Sequence, residues 1–137
     1  MKVAVSTSGT DLASQVEPRF GRCPHYIIVD TETMAFEIVP NTAVGSAHGA
    51  GIQAAQLVAS KGVGVVLTGN VGPNAYGALS ASSIQVISGV SGTVGDAVER
   101  YKRGELSATR SPTVGGHFGT GGGGRGRGGG RRRPFRA

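Results

Sequence analysis

Four stretches of this 137-residue chain gather glycine at places where an anion could be held. The first, Thr7 to Pro24, contains Glu17-Pro18-Arg19-Phe20-Gly21-Arg22-Cys23-Pro24, with two guanidinium groups flanking a glycine. The others are Pro40 to Gly51, which holds Gly45, His48, Gly49 and Gly51; Gly69-Asn70-Val71-Gly72; and Gly89 to Thr93. Each of these three runs into a segment patterned as a helix, where unpaired N–H groups and the positive end of the helix dipole favour negative charge. An anionic ligand is the expectation. None of the four carries G-x-x-x-x-G-K-[ST] or G-x-G-x-x-G, so nucleotide binding has little support, and tight turns alone would use the same glycines.

Metal ligands are few: Cys23, His25, His48 and, far along the chain, His117. A closed zinc site takes four. In extended backbone Cys23 and His25, two residues apart, could face one way, with His48 arriving from a neighbouring loop; a small buried thiol and two surface imidazoles are the better account of them. A pre-assembled anionic metal-sulfide cluster asks for less, because hydrogen-bond donors, cations and one or two ligands suffice. Catalysis finds no footing. Ser6, Ser8 and Ser46 lack a His and carboxylate at recognisable spacing, Cys23 lies in no nucleophile signature, and Asp30, Glu32 and Glu37 cluster around a hairpin. The expectation is a binding protein, not an enzyme.

The elements that must position these loops follow from periodicity. Lys2 to Ser6 is a short β-branched run, and His25 to Asp30 and Ala35 to Val39 form a hairpin pattern around Thr31 to Met34. Ile52 to Lys61 is helix-forming and stops at Gly62; Gly64 to Thr68 is an apolar strand of the kind buried on both faces. Pro73 opens a second helix to about Ser82, and Ile84 to Ile87 is a fifth strand. In the third helix Val94, Ala97, Val98 and Tyr101 share a face, Thr93 and Asp96 start it, and Asp96–Arg100 and Glu99–Arg103 are i,i+4 pairs. The order β-β-β-α-β-α-β-α implies an α/β fold with a mixed five-stranded sheet whose second strand is antiparallel. All four glycine loops then leave the sheet at one edge, where open α/β sheets bind ligands.

Charge divides the chain in two. Residues 1 to 105 carry seven Lys and Arg against all eight carboxylates, a net of −1, whereas Ser107 onward carries seven arginines and no carboxylate side chain. A domain at residues 1–106 and a disordered Gly/Arg-rich tail at 107–137 are expected. Gly124-Arg125-Gly126-Arg127-Gly128-Gly129 resembles RNA-binding RGG segments, but a solubilising or weakly interacting extension is the better account of the tail. A lone cysteine excludes an internal disulfide, no apolar run reaches membrane-spanning length, and nothing resembles a signal peptide, so a cytoplasmic location without membrane attachment is expected.

Three motifs taken together, Glu17 to Tyr26, His48-Gly49-Ala50-Gly51-Ile52-Gln53-Ala54-Ala55 and Thr68-Gly69-Asn70-Val71-Gly72-Pro73-Asn74-Ala75, resemble the dinitrogenase iron-molybdenum cofactor biosynthesis family over about residues 1 to 106. The resemblance implies a ribonuclease H-like three-layer fold with about three helices. It also implies a carrier for iron-molybdenum cofactor, its precursors or a molybdenum-copper sulfide cluster, which purified protein need not retain. Arg19, Phe20, Gly21, Arg22, His48, Gly49, Gly51, Gly69, Asn70 and Gly72 are then the binding residues, with Cys23 and His48 as candidate metal ligands. Relatives that carry cofactor tend to have histidine where this chain has Arg19, which can bond to sulfide or carboxylate but cannot ligate metal. Two other readings stay open: a nucleic-acid-interacting protein acting through the tail, and a regulatory domain whose loops bind a protein partner.

Overall fold

The computed structural model describes residues 1–43 and 49–113. His48, Gly45 and the Gly/Arg-rich stretch therefore lie outside the described residues. Five strands, β1 (Lys2–Thr7), β2 (His25–Asp30), β3 (Phe36–Pro40), β4 (Val65–Leu67) and β5 (Gln85–Ile87), form one sheet in the order β3-β2-β1-β4-β5. β2 is antiparallel to both β1 and β3, while β1, β4 and β5 are mutually parallel. This is the expected mixed sheet. Pro40 extends β3 one residue past the expected end, which an edge strand tolerates because a missing N–H there breaks no central ladder.

Alternation along the strands sorts side chains to two faces. Ala4, Tyr26, Ile28, Val66 and Val86 meet α1 (Ala50–Ala59) and α2 (Pro73–Ala81) through Ala54, Ala55, Val58 and Leu79. Val3, Val5, Ile27, Val29, Val65, Leu67 and Ile87 meet α3 (Val94–Lys102) through Val94, Ala97 and Val98. The result is a three-layer α/β fold. β4 is buried along its whole length, as its unbroken apolar run requires.

α1 begins at Ala50, two residues before the expected start, because Gly49 takes up the left-handed conformation (φ 72°) ahead of the first turn. In α3, Thr93 Oγ1 accepts from the Asp96 N–H at 3.1 Å and Asp96 pairs with Arg100 at 3.2 Å, both as expected. The second expected pair is not made. Arg103 turns instead to Glu105 at 2.6 Å, leaving Glu99 to Lys102 at 3.8 Å, because Gly104 reverses the chain and brings Glu105 alongside.

Past residue 106 the chain stays against the sheet. The Thr109 N–H donates to the Val86 carbonyl at 2.7 Å, the Ser88 N–H to Thr109 Oγ1 at 2.8 Å, and the Thr113 N–H to the Val71 carbonyl at 2.9 Å. Residues 107–113 are thus laid along the β5 side of the sheet. Backbone donors and threonine hydroxyls do this without apolar periodicity, which is why no hydrophobic pattern announces it.

Candidate anion-binding cleft

The loop after β1 is pinned to the sheet edge along its length. Ser6 Oγ donates to the Glu17 carbonyl at 2.7 Å and shares a 2.8 Å hydrogen bond with Thr68 Oγ1, tying the ends of β1 and β4 to that loop. The Asn70 N–H donates to the Pro18 carbonyl at 2.6 Å and the Phe20 N–H to the Asn70 carbonyl at 3.2 Å, so the first and third glycine loops run side by side. Gly69 permits this. A Cβ there would lie 2.7 Å from Pro18 Cα and 2.8 Å from its carbonyl oxygen.

Residues Phe20–Arg22 form a single 3-10 turn. The Phe20 ring is buried against Tyr26, with ring centroids 5.2 Å apart, and its carbonyl accepts from both the Tyr26 hydroxyl and the Cys23 thiol. From the end of β3, Asn41 closes the turn: only 4% exposed, its Nδ2 donates to the Cys23 carbonyl at 2.8 Å and to the Gly21 carbonyl at 3.2 Å. Asn41 is a positioning residue that the sequence reading missed. Its signal was an Asn directly after a strand, where its Oδ1 accepts from the Ala43 N–H.

These contacts leave a cleft of about 540 Å³ lined by Arg19, Phe20, Gly21, Arg22, Gly51, Asn70, Gly72, Pro73, Asn74 and Ala75. Its volume falls in the usual range for a small-ligand site. Gly21, Gly51 and Ala75 stack closely where the turn and the two helix starts meet: a Cβ at Gly21 would lie 3.3 Å from Gly51 Cα, and one at Gly51 would lie 3.1 Å from Ala75 Cβ. The N–H groups of Ala50, Gly51 and Ile52 in α1, and of Asn74 and Ala75 in α2, precede the first intrahelical donors, Gln53 and Tyr76. Three of these residues, Gly51, Asn74 and Ala75, line the cleft with Arg19 and Arg22, beside an apolar wall made of Phe20, Pro73 and Ala75. Arg19 is 69% exposed and pairs with Glu17 at 3.5 Å.

Seven of the expected binding residues, Arg19, Phe20, Gly21, Arg22, Gly51, Asn70 and Gly72, line the cleft together. Gly69 and Gly49 shape it from behind, one by close approach to Pro18 and the other by starting α1. Pro73, Asn74 and Ala75 belong to the lining although only their neighbours were singled out. The fourth loop leaves at the expected edge but serves differently. At the start of α3 the Val94 N–H donates to the Ser14 carbonyl and the Gly95 N–H to the Leu12 carbonyl, so the first loop already fills that helix N-terminus.

Cys23 is fully buried, its thiol donating to the Phe20 carbonyl at 3.4 Å, and it is not part of the lining. Burial, the largest influence, pushes its pKa up to about 11. Among the described residues no three His, Cys, Asp or Glu side chains are placed to hold a metal ion. A pKa two units above the ordinary thiol value lowers the thiolate fraction at pH 7.5 about a hundredfold. Alkylation of native protein by iodoacetamide is expected to be slower than that of unfolded protein by at least this factor, as mass spectrometry would show. The raised value also makes stability pH-dependent. The contribution, roughly 3 kcal/mol, is present in full below about pH 9 and is lost as pH rises through about 11. Burial moves Tyr26 in the same direction.

The profile of the dinitrogenase iron-molybdenum cofactor family matches residues 1–104. The chain belongs to this family. It is similar to the orange protein of Desulfovibrio gigas, solved in its apo form, with 43% identity and a TM-score of 0.81 over 82% of this chain and 96% of that one. It is similar also to a Thermotoga protein described as a candidate NifB protein, with 38% identity and a TM-score of 0.72 over 82% and 97% of the two chains. An uncharacterised protein of Methanocaldococcus jannaschii is 31% identical over 109 residues, covering 77% of this chain and 89% of that one. Membership of this family associates the chain with cofactor handling, and among the described residues no helix is long and apolar enough to cross a membrane.

Proposed function

We propose that this family member is a non-catalytic carrier for an anionic metal-sulfide cluster, of the iron-molybdenum cofactor or molybdenum-copper sulfide type, or for a precursor of one. The observation that carries this reading is the composition of the cleft: Arg19, Arg22 and the starts of α1 and α2 face a space whose lining, among the described residues, contains no carboxylate. Hard cations such as magnesium or calcium need oxygen ligands, and this lining offers none of the carboxylates that usually supply them. A sulfide-rich cluster has the opposite requirement. Its surface is negative and polarisable, so N–H and guanidinium donors stabilise it while Phe20, Pro73 and Ala75 exclude water at little cost.

Arg19 and Arg22 would bond to sulfide or to a cofactor carboxylate, Gly51, Asn74 and Ala75 would donate through the backbone, and Gly21 and Gly72 would let the cluster approach the main chain. Cys23 supports the floor of the turn through its packing. His48 remains the candidate metal ligand. The orange protein, whose described structure is the apo form, accords with a carrier that can be isolated without its cargo. Incubating the full chain with molybdate, sulfide and a copper salt, or with isolated iron-molybdenum cofactor, is expected to give a coloured species that co-elutes with native protein. Uptake by unfolded protein only, or by neither form, would overturn the reading.

A further inference from the structure

We infer that Thr113, anchored through Thr109, is a positioning residue for this cleft, holding the third glycine loop from the side opposite the first. The bonding of that loop's main chain is the first observation. At Asn70 both polar groups face the first loop: the N–H donates to the Pro18 carbonyl at 2.6 Å, and the carbonyl accepts from the Phe20 N–H at 3.2 Å. At the next residue the partner is a different segment. The Val71 N–H donates to Thr113 Oγ1 at 2.8 Å, while the Val71 carbonyl accepts from the Thr113 N–H at 2.9 Å and from its hydroxyl at 3.3 Å. One threonine thus satisfies both main-chain groups of a residue that is 1% exposed and lies between Asn70 and Gly72, two residues of the cleft lining.

The second observation is that Thr113 is itself tied down. The Thr109 N–H donates to the Val86 carbonyl at 2.7 Å, Thr109 Oγ1 accepts from the Ser88 N–H at 2.8 Å, and the Thr109 carbonyl accepts from the Tyr76 hydroxyl at 3.3 Å. Residues 109–113 therefore strap together β5, α2 and the third loop, past the segment that matches the family, which ends at residue 104. Tyr76 directly follows Pro73, Asn74 and Ala75 of the lining. The strap touches no ligand; its effect is to fix the wall from Asn70 to Ala75 before anything binds. Donors already held in place lose less freedom on binding, so affinity rises without a new contact.

This inference rests on the cluster-binding reading, and the test separates the two. Uptake of tetrathiomolybdate, a dianion, is titrated by visible absorption into the full natural chain and into full-length Thr113→Val and Thr113→Ser proteins, each shown to be folded by circular dichroism. Valine leaves the buried Val71 N–H without its acceptor, so that variant is expected to bind about tenfold more weakly, and serine to restore the natural affinity. By reciprocity, saturating tetrathiomolybdate should slow amide hydrogen exchange at Val71 and Thr113 of the natural chain. Should the valine variant not fold, the exchange measurement decides. Equal affinity of natural and valine proteins, failure of serine to restore binding, or exchange at Val71 and Thr113 unaltered by ligand would each overturn this inference alone. Failure of the natural chain to bind would overturn it together with the cluster-binding reading.

Discussion

Gly69→Ala is expected to cost about 2–4 kcal/mol of stability and to abolish cluster uptake, because the added methyl group would meet main-chain atoms that cannot step aside. Its Cβ would lie 2.7 Å from Pro18 Cα, and Pro18 is held by the Asn70 N–H at 2.6 Å. Relief requires the first loop to part from the third, which breaks the Phe20–Asn70 bond as well and opens the cleft wall. The same change at Gly77 provides the contrast. That residue sits within α2, where an added methyl group would meet nothing within 4 Å, so alanine there should stabilise by about 0.5–1 kcal/mol through reduced chain entropy. Urea midpoints read both changes. A Gly69→Ala protein with the natural midpoint and natural uptake would show that the two loops need not touch.

Replacing Arg19 and Arg22 together by Glu is expected to weaken binding of an anionic cluster on the order of a thousandfold, since each charge-assisted hydrogen bond contributes about 1.5–3 kcal/mol. Stability should move little. Both side chains are exposed, and the Arg19–Glu17 pair, at 3.5 Å on the surface, contributes less than about 1 kcal/mol. Replacement by Lys keeps the charge and loses the planar fork, so an intermediate affinity is expected if the guanidinium geometry matters. Titration with tetrathiomolybdate measures all three proteins. Unchanged affinity in the double Glu variant would remove the arginines from the site.

Much of the cleft was legible in the amino-acid order, for an identifiable reason. Arg19, Phe20, Gly21, Arg22, Gly51, Asn70 and Gly72 lie in short stretches of glycine and cation next to strand ends and helix starts. Once the strand order is inferred, topology alone sends those stretches to one edge. Asn41 escaped because its work is done by one side chain reaching two carbonyls eighteen and twenty residues away, a contact with no periodic trace. The third helix start misled in the opposite way. Its local pattern was right, but the carbonyls of Leu12 and Ser14, far off in sequence, had already claimed its donors.

The amino-acid sequence by itself determined the elements, the sense of each strand and the edge at which the glycine loops emerge, because hydrophobic period and turn chemistry are local properties. Tertiary structure alone decided which donors remain available at that edge, that Cys23 belongs to the core, and that residues 107–113 return to Val71. Those outcomes depend on hydrogen bonds and burial between residues distant along the chain. Such contacts are selected by the packed whole and leave no regular spacing behind.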